Sequence, residues 1–493
     1  MNPTLIEQLD RLFDAHSVAV IGASNSFGTW GFGVMNTLLN SGERKIWPVT
    51  KKASEVCGLK AYSNIAEVPQ AVDFAVIAIP SGEVPKVMEE CVDKGVKAAL
   101  IISAGLAELG EEGRGVEEEI LRIARSGGLR FIGPNSMGHM DNYSQFSTLA
   151  WMKEIREGPI GFISQSGTYG QRVVRTGLAS GLGFSKFISS GNEADLHLED
   201  YLEYLAQDKQ TKIIALYVEG LREGRRFFQL AKEITQRKPI VAMKSGRTTG
   251  SAKAARSHVA ALAGSDTSYE AMFKQSGVIR VENDDELFDV AMALLHLPLP
   301  QGRRVGILTE GGGIGVVAAE ACERVGLEIP SFSSLTWDRL NALLPPRWSH
   351  GNPADMTDVI TAGELVTFPC LWAIMEDENV DAAMVIGGIG ATVYFRRFYS
   401  PENPTSSLKE KLEPLIESLE DQERRNSAII NGQINKYQKP VVITKLFPEV
   451  MVEPEIFNLL REKGVPIYPN PQRAAKVLAH LAWYGEYLNA SAG

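Results

Sequence analysis

The chain has 493 residues, 44% of them hydrophobic and 22% charged, with 50 Lys and Arg against 60 Asp and Glu for a formal net charge of -10. That length exceeds what one hydrophobic core organises and predicts two to four domains. The acidic balance argues against nucleic acid or another polyanion as partner and leaves room only for a local basic pocket.

Cys57, Cys91, Cys322 and Cys370 lie far apart with no CxxC spacing, so neither a disulfide framework nor a zinc site is expected. The histidines are scattered and no HExxH occurs, so no metal is expected on this chain. The N-terminal stretch Met1–Asp14 carries Glu7, Asp10 and Asp14 among its apolar residues, unlike a secretory signal. No run of about 18 apolar residues is present to span a bilayer, and the expected compartment is the cytoplasm.

Short apolar runs alternate with amphipathic stretches along the whole chain, the pattern of parallel sheets flanked by helices. Strands are expected at Ser17–Ile21, Lys45–Val49, Phe74–Ile79, Ala98–Ile102 and Arg130–Ile132, with helices such as Val84–Lys94 and Gly115–Ser126 between them. That is a Rossmann-like, doubly wound unit ending near Gly138. A second unit opens with Ile160–Ile163 and continues through Phe184–Ile188, Ile213–Val218 and Ile240–Lys244. His296–Gly302, with two prolines and no periodicity, reads as a linker. A third unit runs through Arg304–Leu308, Ala382–Ile386, Pro440–Ile443 and Pro466–Tyr468, and closes with a helix over Pro471–Leu488. Units two and three each open with an apolar strand, a turn of small residues and a helix, as an internal duplication of a flavodoxin-like fold would. The reading is therefore α/β throughout, divided into residues 1–142, 143–298 and 299–493.

The first strand runs into Gly22-Ala23-Ser24-Asn25-Ser26-Phe27-Gly28. A glycine-rich turn between strand and helix offers backbone N–H groups at a positive helix end, where a pyrophosphate can sit. The spacing is not GxGxxG. In NAD-binding folds the second strand leads to an acidic residue that holds a ribose hydroxyl. Here it leads into Lys51-Lys52, which suits a 3′-phospho-ADP group (coenzyme A) or a 2′-phospho-ADP group (NADP) better than NAD.

Further on, Lys238–Arg247 ends a strand and gives way to a Gly/Ala/Ser-rich run through Ser257-His258-Val259-Ala260-Ala261-Leu262-Ala263-Gly264-Ser265-Asp266. Neutral imidazole is nucleophilic near pH 7, so a histidine in such a loop can take up a phosphoryl group. Two glycine-rich helix starts offer oriented N–H donors to a phosphate. One is Ser164-Gln165-Ser166-Gly167 and the other Gly311-Gly312-Gly313. Glu219 closes the strand Ile213–Val218 at the end where these folds place ligands.

These motifs resemble, over residues 8–485, the α-type subunit of nucleoside-diphosphate-forming (ADP-forming) acyl-CoA synthetases in the succinyl-CoA synthetase superfamily. Gly22-Ala23-Ser24, Pro48 with Lys51 and Lys52, Ile79-Pro80, Ser103-Ala104-Gly105 and Gly133-Pro134-Asn135 follow the order of that family's CoA-binding domain. Lys244-Ser245-Gly246-Arg247 and the His258 stretch resemble its phosphohistidine loop. The resemblance implies that His258 carries the phosphoryl group, that Glu219 accepts a hydrogen bond from it, and that the two helix starts hold the phosphate. It also implies coenzyme A as substrate, and ATP or ADP with Mg²⁺ on a separate ATP-grasp β subunit, because this chain shows no nucleotide-binding half. A heterotetramer is the implied assembly. Ser136 replaces the family's cysteine, Val259-Ala260 replace Thr-Gly, and Glu310 stands where asparagine is usual. Ser190–Leu196 and Asn352–Asp355 read as turns beside the site. The alternatives are a non-catalytic CoA- or acyl-CoA-binding regulatory protein and an NADP-dependent oxidoreductase.

Overall fold

A computed structural model describes residues 3–152, 156–179, 181–248, 250, 265–357, 360–361, 364–390, 392, 409–446 and 455–492. The chain divides into two compact units, Met1–Asp284 and Asp285–Gly493.

In the first unit, helix α1 (Pro3–Phe13) precedes β1 (Ser17–Ile21), α2 (Trp30–Leu39), β2 (Lys45–Val49) and a hairpin of β3 (Glu55–Val56) and β4 (Leu59–Lys60). Then come β5 (Phe74–Ile77), α3 (Val84–Lys94), β6 (Ala98–Ile101), α4 (Glu111–Ser126) and β7 (Arg130–Ile132). The sheet is parallel, in the order β2-β1-β5-β6-β7. β1, β5 and β6 are buried at every residue, as strands covered on both faces must be. α3 turns Val84, Met88 and Cys91 inward at helical spacing, and Gly95, in the left-handed conformation, stops it.

The same unit holds a second sheet. Its elements are β8 (His139–Asp141), β9 (Phe146–Ser147), β10 (Glu157–Ser164), α5 (Gly167–Ala179), β11 (Phe184–Ser189), α6 (Leu198–Gln207) and β12 (Ile213–Val218). They continue with α7 (Gly224–Ile234), β13 (Ile240–Lys244), α8 (Asp266–Gln275) and β14 (Ile279–Val281). The order is β14-β13-β12-β10-β11-β8-β9, antiparallel only where β8 meets β11 and β9 meets β8.

Helix α9 (Asp284–His296) begins at the boundary, and the second unit continues with β15 (Val305–Thr309), α10 (Gly312–Arg324), α11 (Ser334–Leu343), β16 (Ala354–Asp355) and a hairpin of β17 (Ile360–Thr361) and β18 (Glu364–Leu365). These lead to α12 (Thr367–Glu376), β19 (Ala382–Ile386), α13 (Lys409–Tyr437), β20 (Val441–Thr444), α14 (Glu455–Glu462), β21 (Ile467–Tyr468) and α15 (Pro471–Ala492). Its parallel sheet runs β16-β15-β19-β20-β21.

When the parallel strands of each sheet are numbered along the chain, all three sheets read 2-1-3-4-5. This is the flavodoxin-like doubly wound order, and it opens a crevice between the first and third strands at the carboxyl edge. The likeness expected between the second and third sheets thus extends to their winding, and the first sheet shares it. Among the described residues, no helix is long and apolar enough to cross a membrane.

Candidate active site

The predicted CoA-contacting positions all fall on the carboxyl edge of the first sheet, because each follows the end of a parallel strand. Gly22 leaves β1 with φ +94, and a Cβ there would lie 2.2 Å from the Ala78 carbonyl oxygen. Only glycine fits both the conformation and the gap. Gly31, a position not singled out from the sequence, supplies the matching approach from α2: its Cβ would stand 2.0 Å from the Gly22 carbonyl oxygen. The loop between them is tethered by Asn25, whose Nδ2 donates to the Glu55 carbonyl and whose Oδ1 accepts from the Cys57 N–H, both at 2.9 Å. Ala23 and Ser24 lie within this loop. Lys51 and Lys52, just past β2, are exposed, and neither is in an ion pair among the described residues. The Ser103 hydroxyl donates to the Ile79 carbonyl at 2.6 Å and accepts from the Ile79 N–H at 3.3 Å, joining the exits of β5 and β6 beside Pro80 and Ala104. Asn135 donates its N–H to the Ser103 carbonyl at 2.9 Å from a left-handed backbone, φ 58. Gly105, also left-handed, donates its N–H to Glu108.

The turn after β7 joins this edge to the second sheet. Asn192 and Ala194 donate backbone N–H groups to the Pro134 and Gly133 carbonyls at 2.8 and 3.1 Å. Asn135 Nδ2 donates to Asn192 Oδ1 at 3.3 Å. Ser136, where the resembling family carries cysteine, is buried, and its hydroxyl donates to the Ser189 carbonyl at 2.5 Å. Gly167 opens α5, and a Cβ on it would meet Met137 Cγ at 2.0 Å. That glycine therefore serves packing as well as any ligand. The Ser190–Leu196 stretch, legible only as a turn, is this seam.

At the crevice of the second sheet the side chains of Ser164 and Gln165 are used internally. The Ser164 hydroxyl donates to the Ser166 carbonyl at 2.7 Å. Gln165 Oε1 accepts from the Glu219 and Gly220 N–H groups at 2.6 and 3.0 Å, while Nε2 donates to the Gly220 carbonyl at 2.7 Å and to Glu193 Oε1 at 3.0 Å. What the α5 start has left for an anion is backbone N–H groups, which have no intrahelical acceptor in a first turn.

Glu219 is half-buried just beyond β12. Lys244, at the end of β13, donates from Nζ to the Glu219 carbonyl at 3.0 Å and also to the Ser245 carbonyl, and its ammonium lies 4.6 Å from the Tyr269 ring centroid. Burial lowers the Lys244 pKa. Tyr269, on α8, accepts from the Leu221 N–H at 3.0 Å. The last strand residue before the His258 stretch and a helix residue after it thus both hold the backbone of the Glu219 turn. His258, Val259 and Ala260 themselves lie outside the described residues. Lys244 and Tyr269 were missed as site residues, although Lys244 opens the KSGR motif.

In the second unit, Thr309 closes β15 and its hydroxyl donates to the Gly311 carbonyl at 3.1 Å. A Cβ on Gly311 or Gly313 would meet nothing within 4 Å, and one on Gly312 would approach Asp355 Oδ2 at 3.1 Å. Packing within the described chain therefore does not explain glycine at 311 or 313. Glu310 is turned to the loop after β19, where its Oε2 accepts from the Gly388 N–H at 2.8 Å; burial raises its pKa, and that bond opposes the rise. Asn352 zips the sheet edge, its Oδ1 accepting from the Ile307 N–H and its Nδ2 donating to the Val305 and Pro330 carbonyls, each at 2.9 Å.

A doubly wound α/β protein with a glycine turn and unpaired lysines at one ligand edge, and an acid-bearing turn at the next, is of the class that handles phosphorylated cofactors. Residues 16–142 match the CoA binding domain family, and residues 157–294 match the succinyl-CoA ligase like flavodoxin domain family. The acetate–CoA ligase (ADP-forming) II subunit alpha of Pyrococcus furiosus is 37% identical over 467 residues, covering 95% of this chain and 96% of that protein. The acetate–CoA ligase (ADP-forming) II of Archaeoglobus fulgidus is 35% identical, and this chain spans 68% of its length. The solved dinucleotide forming acetyl-coenzyme A synthetase 1 of Ca. Korarchaeum cryptofilum, in complex with phosphate and ADP, superposes with a TM-score of 0.80 at 30% identity, covering 98% of this chain and 99% of that one. The chain belongs to the ADP-forming acyl-CoA synthetase family of acid–thiol ligases and is of its α-subunit type.

Proposed function

We propose that this chain is the α subunit of a synthetase that interconverts carboxylic acid, CoA and ATP with acyl-CoA, ADP and phosphate, through an acyl phosphate and a phosphohistidine at His258. Phosphate attacks the thioester carbonyl, the C–S bond breaks and CoA leaves as the thiolate. The His258 imidazole then attacks phosphorus, and the carboxylate departs with the bridging oxygen. Phosphohistidine finally passes its phosphoryl group to the terminal phosphate of ADP. CoA lies along the carboxyl edge of the first sheet, from Lys51 and Lys52 past Gly22 toward Asn135. Backbone N–H groups at Ser166–Gly167 hold the phosphate, and Glu219 accepts a hydrogen bond from the imidazole N–H, which stabilises the ring once it is phosphorylated.

The observation that carries this reading is the double anchoring of the Glu219 turn by Lys244 and Tyr269. Lys244 just before the His258 stretch and Tyr269 just after it both bond to the turn that carries Glu219, the carboxylate this reading assigns to the histidine. The ADP site belongs to a separate ATP-grasp β subunit, to which Mg²⁺ comes with the nucleotide. The subunit name of the Pyrococcus furiosus relative and the longer Archaeoglobus fulgidus relative support this division. The test is phosphate-dependent release of free thiol from a panel of aliphatic and aryl acyl-CoAs. Release with at least one thioester is the expected result, and none with any of them contradicts the reading.

A further inference from the structure

Glu193 is a carboxylate with 2% of its surface exposed, and it sits in a left-handed backbone conformation, φ 56. Glutamate rarely occupies that region, and an outlier of this kind beside a candidate active site is held there by its surroundings. Its Oε1 accepts from the Ser190 hydroxyl at 2.7 Å and from Gln165 Nε2 at 3.0 Å. The orientation of the Gln165 amide is not arbitrary. Two backbone donors, the N–H groups of Glu219 and Gly220, face its other end, so that end must be the oxygen. Nε2 must then find two acceptors, and Glu193 and the Gly220 carbonyl are the two.

We propose that Glu193 is a positioning residue for phosphoryl transfer: by fixing the Gln165 amide it locks the backbone that carries Glu219. A polar chain of three side chains, Ser190, Glu193 and Gln165, thus runs from the buried turn after β11 to the backbone N–H of Glu219. Filling space alone would not require a carboxylate here, since an apolar residue would avoid its desolvation. The charged groups around Glu193 are Glu199, which opposes its ionisation, and Arg222, which favours it and donates to the neighbouring Asn192 carbonyl at 2.5 Å.

This inference rests on the phosphohistidine reading, and the experiment separates the two. The full chain is mixed with ³²P-labelled acetyl phosphate, and the rate of acid-labile labelling is measured beside CoA affinity by calorimetry. Glu193→Leu is expected to slow labelling on the order of 10- to 100-fold, the range for partners that orient a reacting group, while leaving CoA affinity unchanged. Glu193→Gln keeps an acceptor for Gln165 and is expected to restore most of the rate. In a Glu219→Gln background, Glu193→Leu should add nothing. Gln165→Met cuts the same link from the other side and should slow labelling comparably, so the idea stays testable if the leucine variant does not fold. Unchanged labelling in Glu193→Leu or Gln165→Met overturns the inference, as does a full additional loss from Glu193→Leu in the Glu219→Gln background. An unlabelled wild type overturns the phosphohistidine reading and this inference with it.

Discussion

Replacing both Lys51 and Lys52 by alanine probes the cofactor edge most sharply, because the same phosphate can also be removed from the ligand. The two ammonium groups stand exposed just beyond β2 with no carboxylate paired to them among the described residues. A unit charge pair at about 4 Å in a water-like dielectric contributes roughly 1 kcal/mol, and exposed pairs measure ~0.2–1 kcal/mol. Placed as proposed against the near-dianionic 3′-phosphate of CoA, two such lysines would contribute up to ~2 kcal/mol, which corresponds to roughly 30-fold in affinity. Calorimetry at low salt should show the wild type preferring CoA over 3′-dephospho-CoA by about that factor. The double variant should lose the preference while binding dephospho-CoA as before. The preference should also shrink toward 1 M salt, where screening acts over about 3 Å. A wild type that does not discriminate, or a variant that weakens both ligands equally, would refute the placement of the 3′-phosphate.

Gly22→Ala puts a Cβ 2.2 Å from the Ala78 carbonyl oxygen at φ +94. The conformation alone costs about 1–3 kcal/mol, so Tm and CoA affinity should fall together, and an unchanged Tm would refute the close-approach argument. Gly313→Ala meets no neighbour within 4 Å, so thermal stability should hold or rise slightly, and a lowered Tm would contradict the open space read around it. His139 is enclosed by Phe13, Phe74 and Phe146, and burial pushes its pKa down to about 3, against a weaker opposing effect of the Leu12 carbonyl. The unfolded chain therefore binds the extra proton between pH 6.5 and 3, and stability from this site is present above pH 6.5 and lost on acidification, by about 1.4 kcal/mol per pH unit. Glu193, raised to about 7 by burial, has the opposite sign, its contribution present below pH 4.5 and lost as pH rises through 7. Urea midpoints of His139→Phe should thus decline from pH 5 to 7 more steeply than those of the wild type, and parallel profiles would contradict the assignment.

Most parallel strands were legible because strands such as Ser17–Ile21, Ile213–Val218 and Ala382–Ile386 are buried and read as unbroken apolar runs. β8 and β9 were not, since three and two residues containing His139, Asp141 and Ser147 carry no periodicity. β14 and β16 are too short for the same reason. In the site, Gly22 and the lysines could be read locally, because a strand exit fixes where the next few residues stand. The roles of Gln165 and Glu193 could not: their partners are 54 and 28 positions away in the chain and meet only once the crevice between β10 and β12 has formed. Glu310 looked repulsive to phosphate in the sequence, and its compensation by the Gly388 N–H, 78 positions on, is equally a product of folding. Gly31 reads as an ordinary helix glycine until its contact with Gly22 is seen.

The central claim is that phosphorus becomes bonded to one imidazole. The full chain, treated with labelled acetyl phosphate and then digested without acid, should yield a single phosphopeptide whose base-stable, acid-labile modification maps to His258. It should be absent from a His258→Asn variant that still binds CoA. Label on another residue, or an equal yield from that variant, would contradict the account.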